Sequence, residues 1–358
     1  MSAPTTDSQM YLTMHRQPED LRRVLADSAP VQTAAQLIAG AERVWVVGIG
    51  TSYHAALYGS WALRAAGKDA RAVSSHDFAV WADSFGVRPA DAVVVMAHTG
   101  VKAASAEALQ VALSTDATVI SIGGENAQHP GSQHILYTST QETSAAYTTS
   151  HLCAMARLAQ LASAIGDING VATTATFGPA LDALPDQIAG VLARQDEILP
   201  LSQYATTHRI YATGAGPNET TALESVIKVR EAAYGWIDAL GLEQFLHGPM
   251  VAVNAGDVVA LVHVPGRTAE RTAEIARAAG HMGARIWLIG DAVEGLEADV
   301  FSLPHTEELI SPLLAVVPFQ ILAYQMAAES GINPDTFRRD NPVYLEAFGL
   351  SPLRAVAR

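Results

Sequence analysis

Lys228, Glu231 and His247 are the residues of this 358-residue chain whose types and spacing could do acid–base chemistry. In ETTALESVIKVREAAYG, Glu224, Lys228 and Glu231 fall at i, i+4 and i+7, so a helix would carry them on one stripe. Ala222, Val226, Val229 and Ala233 take the opposite face, the one expected to pack on a sheet. The stripe is therefore expected to point away from the core of its own domain. One reading is a solvated charge ladder, which the pattern by itself favours. The other is a carboxylate base beside an ammonium, covered by something that Leu223, Ile227 and Tyr234 could meet. His247 follows Glu231 by sixteen residues and precedes Gly248-Pro249. Proline suits the first position of a helix, which would put His247 just before a helix beginning PMVAV. The positive end of a helix disfavours imidazolium, and a neutral ring can take or give a proton near pH 7. Among twelve histidines, a lone one is more often structural.

Two glycine turns offer places for an anion. VWVVGIG (44–50) ends in Gly48 and Gly50, but Tyr53 stands where G-x-G-x-x-G needs its third glycine, so a nicotinamide dinucleotide is not expected. Gly50-Thr51-Ser52 instead sets two hydroxyls at a helix N-terminus, suited to phosphate or sugar oxygens, unless they only cap the helix. Thr99-Gly100 repeats this arrangement at the end of the next strand.

The elements that must position these residues come twice. VWVVGIG matches IYATGAG (210–216), and ADAVVVMAHTG (90–100) matches GDVVALVHVPG (256–266). Gly48, Gly50, Asp91 and Gly100 all meet their counterparts 166 residues later; TVISIGG and RIWLIGD come into register one residue further on. VVVMA and VVALV are short unbroken apolar runs, as parallel strands covered on both faces require, and helical segments follow them. The pattern predicts a doubly wound parallel α/β unit built twice, over 42–166 and 207–331. A helical N-terminal segment (1–41), a linker with a helix (167–206) and a tail (332–358) complete the expected organisation. GDINGVATTATFGPALDALP breaks the periodicity near 167–185, and the linker helix is expected to run to about Leu199.

Composition narrows the partners. A net charge of −14 without any basic block leaves no footprint for nucleic acid. No apolar run is read as long enough to span a bilayer, and the N-terminus lacks the pattern of a secretory signal. Cys153 is the only cysteine, which excludes intrachain disulfides and a thiolate zinc site. HxxxH, HExxH and carboxylate clusters are absent, so no metal and no cofactor are expected. A cytoplasmic protein fits best.

GIGTSYHAA (48–56), the strand ending in AHTG (97–100) and LHGP (246–249), in that order, resemble the sugar isomerase (SIS) family. The resemblance runs from about residue 40 to 350. Its doubled arrangement is similar to that of phosphosugar isomerases, deaminases and deglycases and of the isomerase half of glucosamine-6-phosphate synthase. It implies two tandem flavodoxin-like SIS domains and an enzyme acting on a ketose or amino-sugar 6-phosphate. Lys228 and Glu231 match the family's K-x-x-E, and His247 its HGP. The resemblance therefore implies that His247 opens the ring, that Glu231 moves a proton between C1 and C2, and that Lys228 holds Glu231 ionised and contacts the sugar. It implies a homodimer with shared active sites, the histidine of each coming from the neighbouring protomer.

The family's phosphate loop, S-x-S-G-x-[ST], falls on 97–102. Thr99 keeps the central hydroxyl and Gly100 the turn, while Ala97 lacks the first hydroxyl and Lys102 replaces the last. The second copy's VHVPGR lacks the hydroxyls, so one phosphate site is expected, in the first copy. Glu142-Thr143-Ser144 matches a segment E-x-x-x-x-[ST] that leads into a helix, making Ser144 and Thr148 candidate sugar contacts, with helix capping as the other reading of Ser144. Tyr147 and Thr149 depart from the synthase pattern. So does the tail: DNPVYLEAF (340–348) puts Ala347 where that pattern has an imine-forming lysine, and no lysine follows Lys228. Arg354 and Arg358 cannot replace it, because a guanidinium stays protonated. A preceding glutamine-hydrolysing domain is not expected. The alternative is a non-catalytic sugar-phosphate-binding protein of the same fold.

Overall fold

The computed structural model describes residues 7–350. Ten strands form two five-stranded sheets in which every neighbouring pair is parallel. The first holds β1 (Arg43–Gly48), β2 (Asp69–Ser74), β3 (Ala92–Met96), β4 (Thr118–Gly123) and β5 (His134–Tyr137) in the order 2-1-3-4-5. The second holds β6 (Ile210–Gly214), β7 (Ile237–Gly241), β8 (Val258–His263), β9 (Arg285–Gly290) and β10 (Asp299–Phe301) in the order 7-6-8-9-10. Counted within its own copy, each sheet has the same order, and the doubly wound α/β class holds. Each has a switch point, between β1 and β3 and between β6 and β8, where chain direction across the sheet reverses and ligands of such sheets bind beyond the carboxyl ends.

The chain divides into two compact units. Glu19–Thr143 and Thr149–Ala183 contribute to one; Ser144–Thr148 and Leu184–Phe337 contribute to the other. The central strands β3, β6 and β8 are buried along their whole length, as continuous Val, Ala, Leu and Ile runs demand. Trp45, Val47, Val93, Val95, Phe78 and Leu109 fill one core; Val259, Leu261, Leu288, Ile275 and Phe245 fill another. Each fully buried Val, Leu, Ile or Phe side chain contributes about 1.5–3 kcal/mol.

Positions 166 apart occupy matching places. A Cβ on Gly48 would stand 2.3 Å from the Ser52 carbonyl oxygen, and one on Gly214 the same distance from that of Asn218. No side chain fits where strand and following turn approach so closely. Gly50 (φ +59°) and Gly216 (φ +55°) then turn the chain in the left-handed region. Asp91 accepts the Arg88 N–H at 3.0 Å, and Asp257 that of Asn254 at 2.8 Å.

Two elements differ from the sequence reading. The helix Phe177–Ala193 begins inside the stretch read as broken, because Phe177, Leu181, Leu184, Ile188 and Val191 make a buried helical stripe that outweighs its glycines and prolines. Ser311–Glu329 does have the length and hydropathy of a membrane span, although Gln320 and Gln325 interrupt it. Here it is a buried core helix, packed on the helices Glu219–Ala233 and Leu199–Ala205.

Candidate active site

The helix Glu219–Ala233 carries the expected triad, but not as a ladder in water. Glu224 and Lys228 side chains are fully buried and Glu231 is 25% exposed. Lys228 Nζ lies 3.4 Å from Glu224 Oε1 and 3.1 Å from Glu231 Oε2. The expectation that the stripe points away from the core is corrected. The helix packs against the helix Ser311–Glu329 and the strands β6 and β7, and the Glu224 and Lys228 side chains are buried in that packing. On the other face, Ala222, Val229 and Ala233 are buried and Val226 partly so. Burying an ammonium costs several kcal/mol unless it is paired, and two carboxylates hold this one. Of the three, only Glu231 reaches solvent. The arrangement presents an accessible carboxylate backed by a buried lysine.

His247 does not precede an α-helix. Pro249–Ala252 is a single 3-10 turn, entered through Gly248 at φ +125°, so the helix-dipole reason for a neutral ring does not apply. Instead His247 ends the short helix Leu242–Leu246 and is 73% exposed, with Nε2 3.3 Å from Glu243 Oε2. The Arg271 guanidinium beside Glu243 holds that carboxyl below the usual range. An ionised carboxylate thus steadies a ring that faces outward.

In the other unit, Gly50, Thr51, Ser52, Thr99, Gly100 and Lys102 share the carboxyl edge at the β1–β3 switch point. Gly50 is the N-cap of the helix Thr51–Ala65, which has no side-chain cap; Thr51 and Ser52 open its first turn rather than capping it. Gly100, at φ +84°, packs where a Cβ would come within 3.1 Å of the Gln128 N. Loop N–H groups are largely spoken for: Gly100 donates to Ala97, Val101 to Gln128, and Lys102 to Ser105 Oγ. What remains for an anion is hydroxyls, and among the described residues neither Ser52 Oγ nor Thr99 Oγ1 makes a hydrogen bond. Lys102 is exposed, two residues ahead of the helix Ala104–Leu113.

Ser144 and Thr148 are buried and engaged. Ser144 Oγ closes a local turn with Ala146, donating to its carbonyl at 3.1 Å and accepting its N–H at 3.2 Å. It caps no helix, since the following one starts at Thr149. Thr148 Oγ1 donates to Thr13 Oγ1 at 3.1 Å. The cap is Glu142, whose Oε2 accepts from Ser150 N (3.0 Å) and Oγ (2.6 Å). In the second copy, a protein carboxylate fills the matching loop. Glu308 Oε1 accepts the Arg267 N–H at 2.9 Å and lies 2.3 Å from where a Cβ on Gly266 would stand. Burial pushes the Cys153 thiol up to about 12, so it is no nucleophile.

The stretch 37–164, which spans the first sheet and its glycine turns, matches the family model of the SIS domain. Residues 37–164 are a SIS domain. Beyond the SIS match, the chain is 27% identical over 307 residues to glutamine–fructose-6-phosphate aminotransferase [isomerizing] of Pyrococcus horikoshii, covering 84% of this chain and 51% of that one. The protein of the same name from Methanothermobacter thermautotrophicus is 26% identical over 92% of this chain and 56% of its own. The chain thus spans about half the length of the curated relatives it matches. Among solved structures, the C-terminal domain of glucosamine-fructose-6-phosphate aminotransferase from Francisella tularensis superposes with a TM-score of 0.85 at 19% identity, over 92% of this chain and 98% of that one. Glucosamine-6-phosphate deaminase from Thermotoga maritima gives 0.74 at 21%, over 92% and 97%. At these identities the likeness is one of fold.

Within the SIS fold, sequence reasoning placed Glu224 on the stripe with Lys228 but passed over His98 and His129 beside the loop. A signal for the last two was present in the Gly123-Gly124 pair, since adjacent glycines at a strand end mark a close approach. The helix Pro342–Leu350 carries Ala347, as aligned, and buries no residue; Tyr344 Oη accepts from Arg338 Nη1. Arg354 and Arg358 lie outside the described residues.

Proposed function

We propose that this chain is a phosphosugar isomerase- or deaminase-like SIS enzyme acting on a ketose or amino-sugar 6-phosphate. The observation that carries this reading is the Glu224–Lys228–Glu231 group, in which a buried lysine is paired with one accessible carboxylate. Glu231 is the base that moves a proton between C1 and C2, through an enediol or enolamine whose charge spreads onto the adjacent oxygen or nitrogen. His247 opens the ring. Its exposure at the end of a short helix supports a role in a neighbouring protomer's site, and hence a homodimer. Thr51, Ser52 and Thr99 hold the phosphate through their hydroxyls, at the turn that Gly100 makes, with Lys102 adding charge at the rim. Ser144 and Thr148 shape the sugar side through their buried turn rather than by free hydroxyls.

Ala347 in the tail implies that no protein–sugar imine forms, so acid–base groups alone do the chemistry. The test is a panel of hexosamine, fructose and fructosamine 6-phosphates given to the full chain, with borohydride added during turnover and intact mass measured afterwards. Turnover without a mass adduct is expected. A reduced adduct on Lys228 or another lysine would overturn the acid–base reading, and binding without turnover of any member would favour a non-catalytic sugar-phosphate-binding protein.

A further inference from the structure

Two histidines outside the candidate set hold the loop that carries Thr99. His129 is 2% exposed and donates from Nε2 to the Ala97 carbonyl at 3.0 Å. Burial lowers its pKa, which favours the neutral ring, and its buried Nδ1 makes no hydrogen bond among the described residues. His98 is oriented the other way. Its Nε2 accepts the Glu142 N–H at 3.0 Å, which places the proton of the neutral ring on Nδ1. The rings lie over consecutive glycines at the end of β4. A Cβ on Gly123 would be 2.6 Å from His129 Nε2, and one on Gly124 2.6 Å from His98 Cε1. Glu142 in turn holds Ser150 in the first turn of the helix Thr149–Asn169. A line of bonds thus runs from the Thr99 loop through His98 to that helix.

We propose that His98 is a positioning residue that sets the Thr99 hydroxyl for a phosphorylated sugar and makes the grip on that ligand pH-dependent. The proposal rests on the phosphate-binding reading of residues 97–102. Imidazolium has two N–H donors and no acceptor, so protonation would set Nε2–H against the Glu142 N–H and break the tie. Ionisable groups on the adjoining segments include Glu142, whose N–H the ring accepts, Glu125 beside Gly124, His129 and Lys102. The Glu142 carboxylate is committed to Ser150, Glu125 pairs with Arg23, and burial favours the neutral ring of His129. Lys102, on the same loop, opposes a second cation. The grip is complete while His98 is neutral and weakens when the ring carries a second proton.

The test measures fructose 6-phosphate affinity by calorimetry at pH 7.5 and 5.5 for the wild type, His98→Gln and His98→Ala. Glutamine offers an uncharged acceptor in place of Nε2, and the wild-type to His98→Gln ratio cancels the ligand's own ionisation near pH 6. At pH 7.5, His98→Gln should bind within about twofold of the wild type and His98→Ala about tenfold more weakly, as expected for one lost hydrogen bond. At pH 5.5 the wild type should bind more weakly than His98→Gln. In the unmutated protein, nitrogen NMR should show the Nδ1–H tautomer at His98, a readout that survives any misfolding of the variants. An equal ratio at both pH values, wild-type affinity in His98→Ala, or an Nε2–H tautomer overturns the proposal alone. Absence of any fructose 6-phosphate binding by the wild type overturns the phosphate reading and this proposal with it.

Discussion

Glu231→Gln should lower turnover by ~10²–10⁴ while leaving the fold and ligand affinity close to those of the wild type. The substitution keeps shape and removes the proton acceptor. It does not strand a buried charge, because Lys228 keeps Glu224 at 3.4 Å, and Glu231 is the one member of the group with access to solvent. Steady-state kinetics with a thermal melt checks both halves. Turnover within a few-fold of the wild type would return Glu231 to a purely structural pairing with Lys228.

Removing the phosphate from the ligand should have an effect of similar size, on binding rather than on chemistry. The loop N–H groups of Gly100, Val101 and Lys102 are already used within the protein, so the proposed phosphate site falls to the hydroxyls of Thr51, Ser52 and Thr99. A hydrogen bond to a charged group contributes about 1.5–3 kcal/mol. Losing two of them weakens binding by ~10²-fold or more, at about 1.4 kcal/mol per tenfold. Calorimetry of fructose against fructose 6-phosphate makes the comparison, and equal affinity for the two would remove the anion from the site.

The central architecture was legible because it is written in local patterns. VWVVG and VVVMA became β1 and β3, VVALV became β8, and the glycines 166 apart mark the turns that follow. The strands β2 (DARAVS), β7 (IDALG) and β10 (DVF) were not legible, since edge strands are short and half polar and carry little of the apolar signal of a buried strand. The candidate site was legible in its residue types but not in its burial. Periodicity placed Glu224, Lys228 and Glu231 on one stripe correctly, yet the burial of Glu224 and Lys228 is set by the tertiary packing of their helix, which no local pattern shows. Charged residues on a stripe read as solvated until the long-range partner is known. His98 and His129 are missed for the same reason: their bonds to Glu142 and Ala97 span 44 and 32 residues. The 3-10 turn after His247 was mistaken for a helix because Gly-Pro opens both.

The claim that Glu231 moves a carbon-bound proton of a phosphosugar is tested most directly by solvent exchange. Wild-type protein would be incubated in D2O with fructose 6-phosphate or glucosamine 6-phosphate and the C1 and C2 proton signals followed by NMR. This reads the proton transfer itself, whether or not net isomerisation, deamination or deglycation follows. The expected result is loss of one C1 or C2 proton signal to deuterium in the wild type and none in Glu231→Gln. Exchange that persists unchanged in Glu231→Gln, or no exchange by a wild type that binds both sugars, would contradict it.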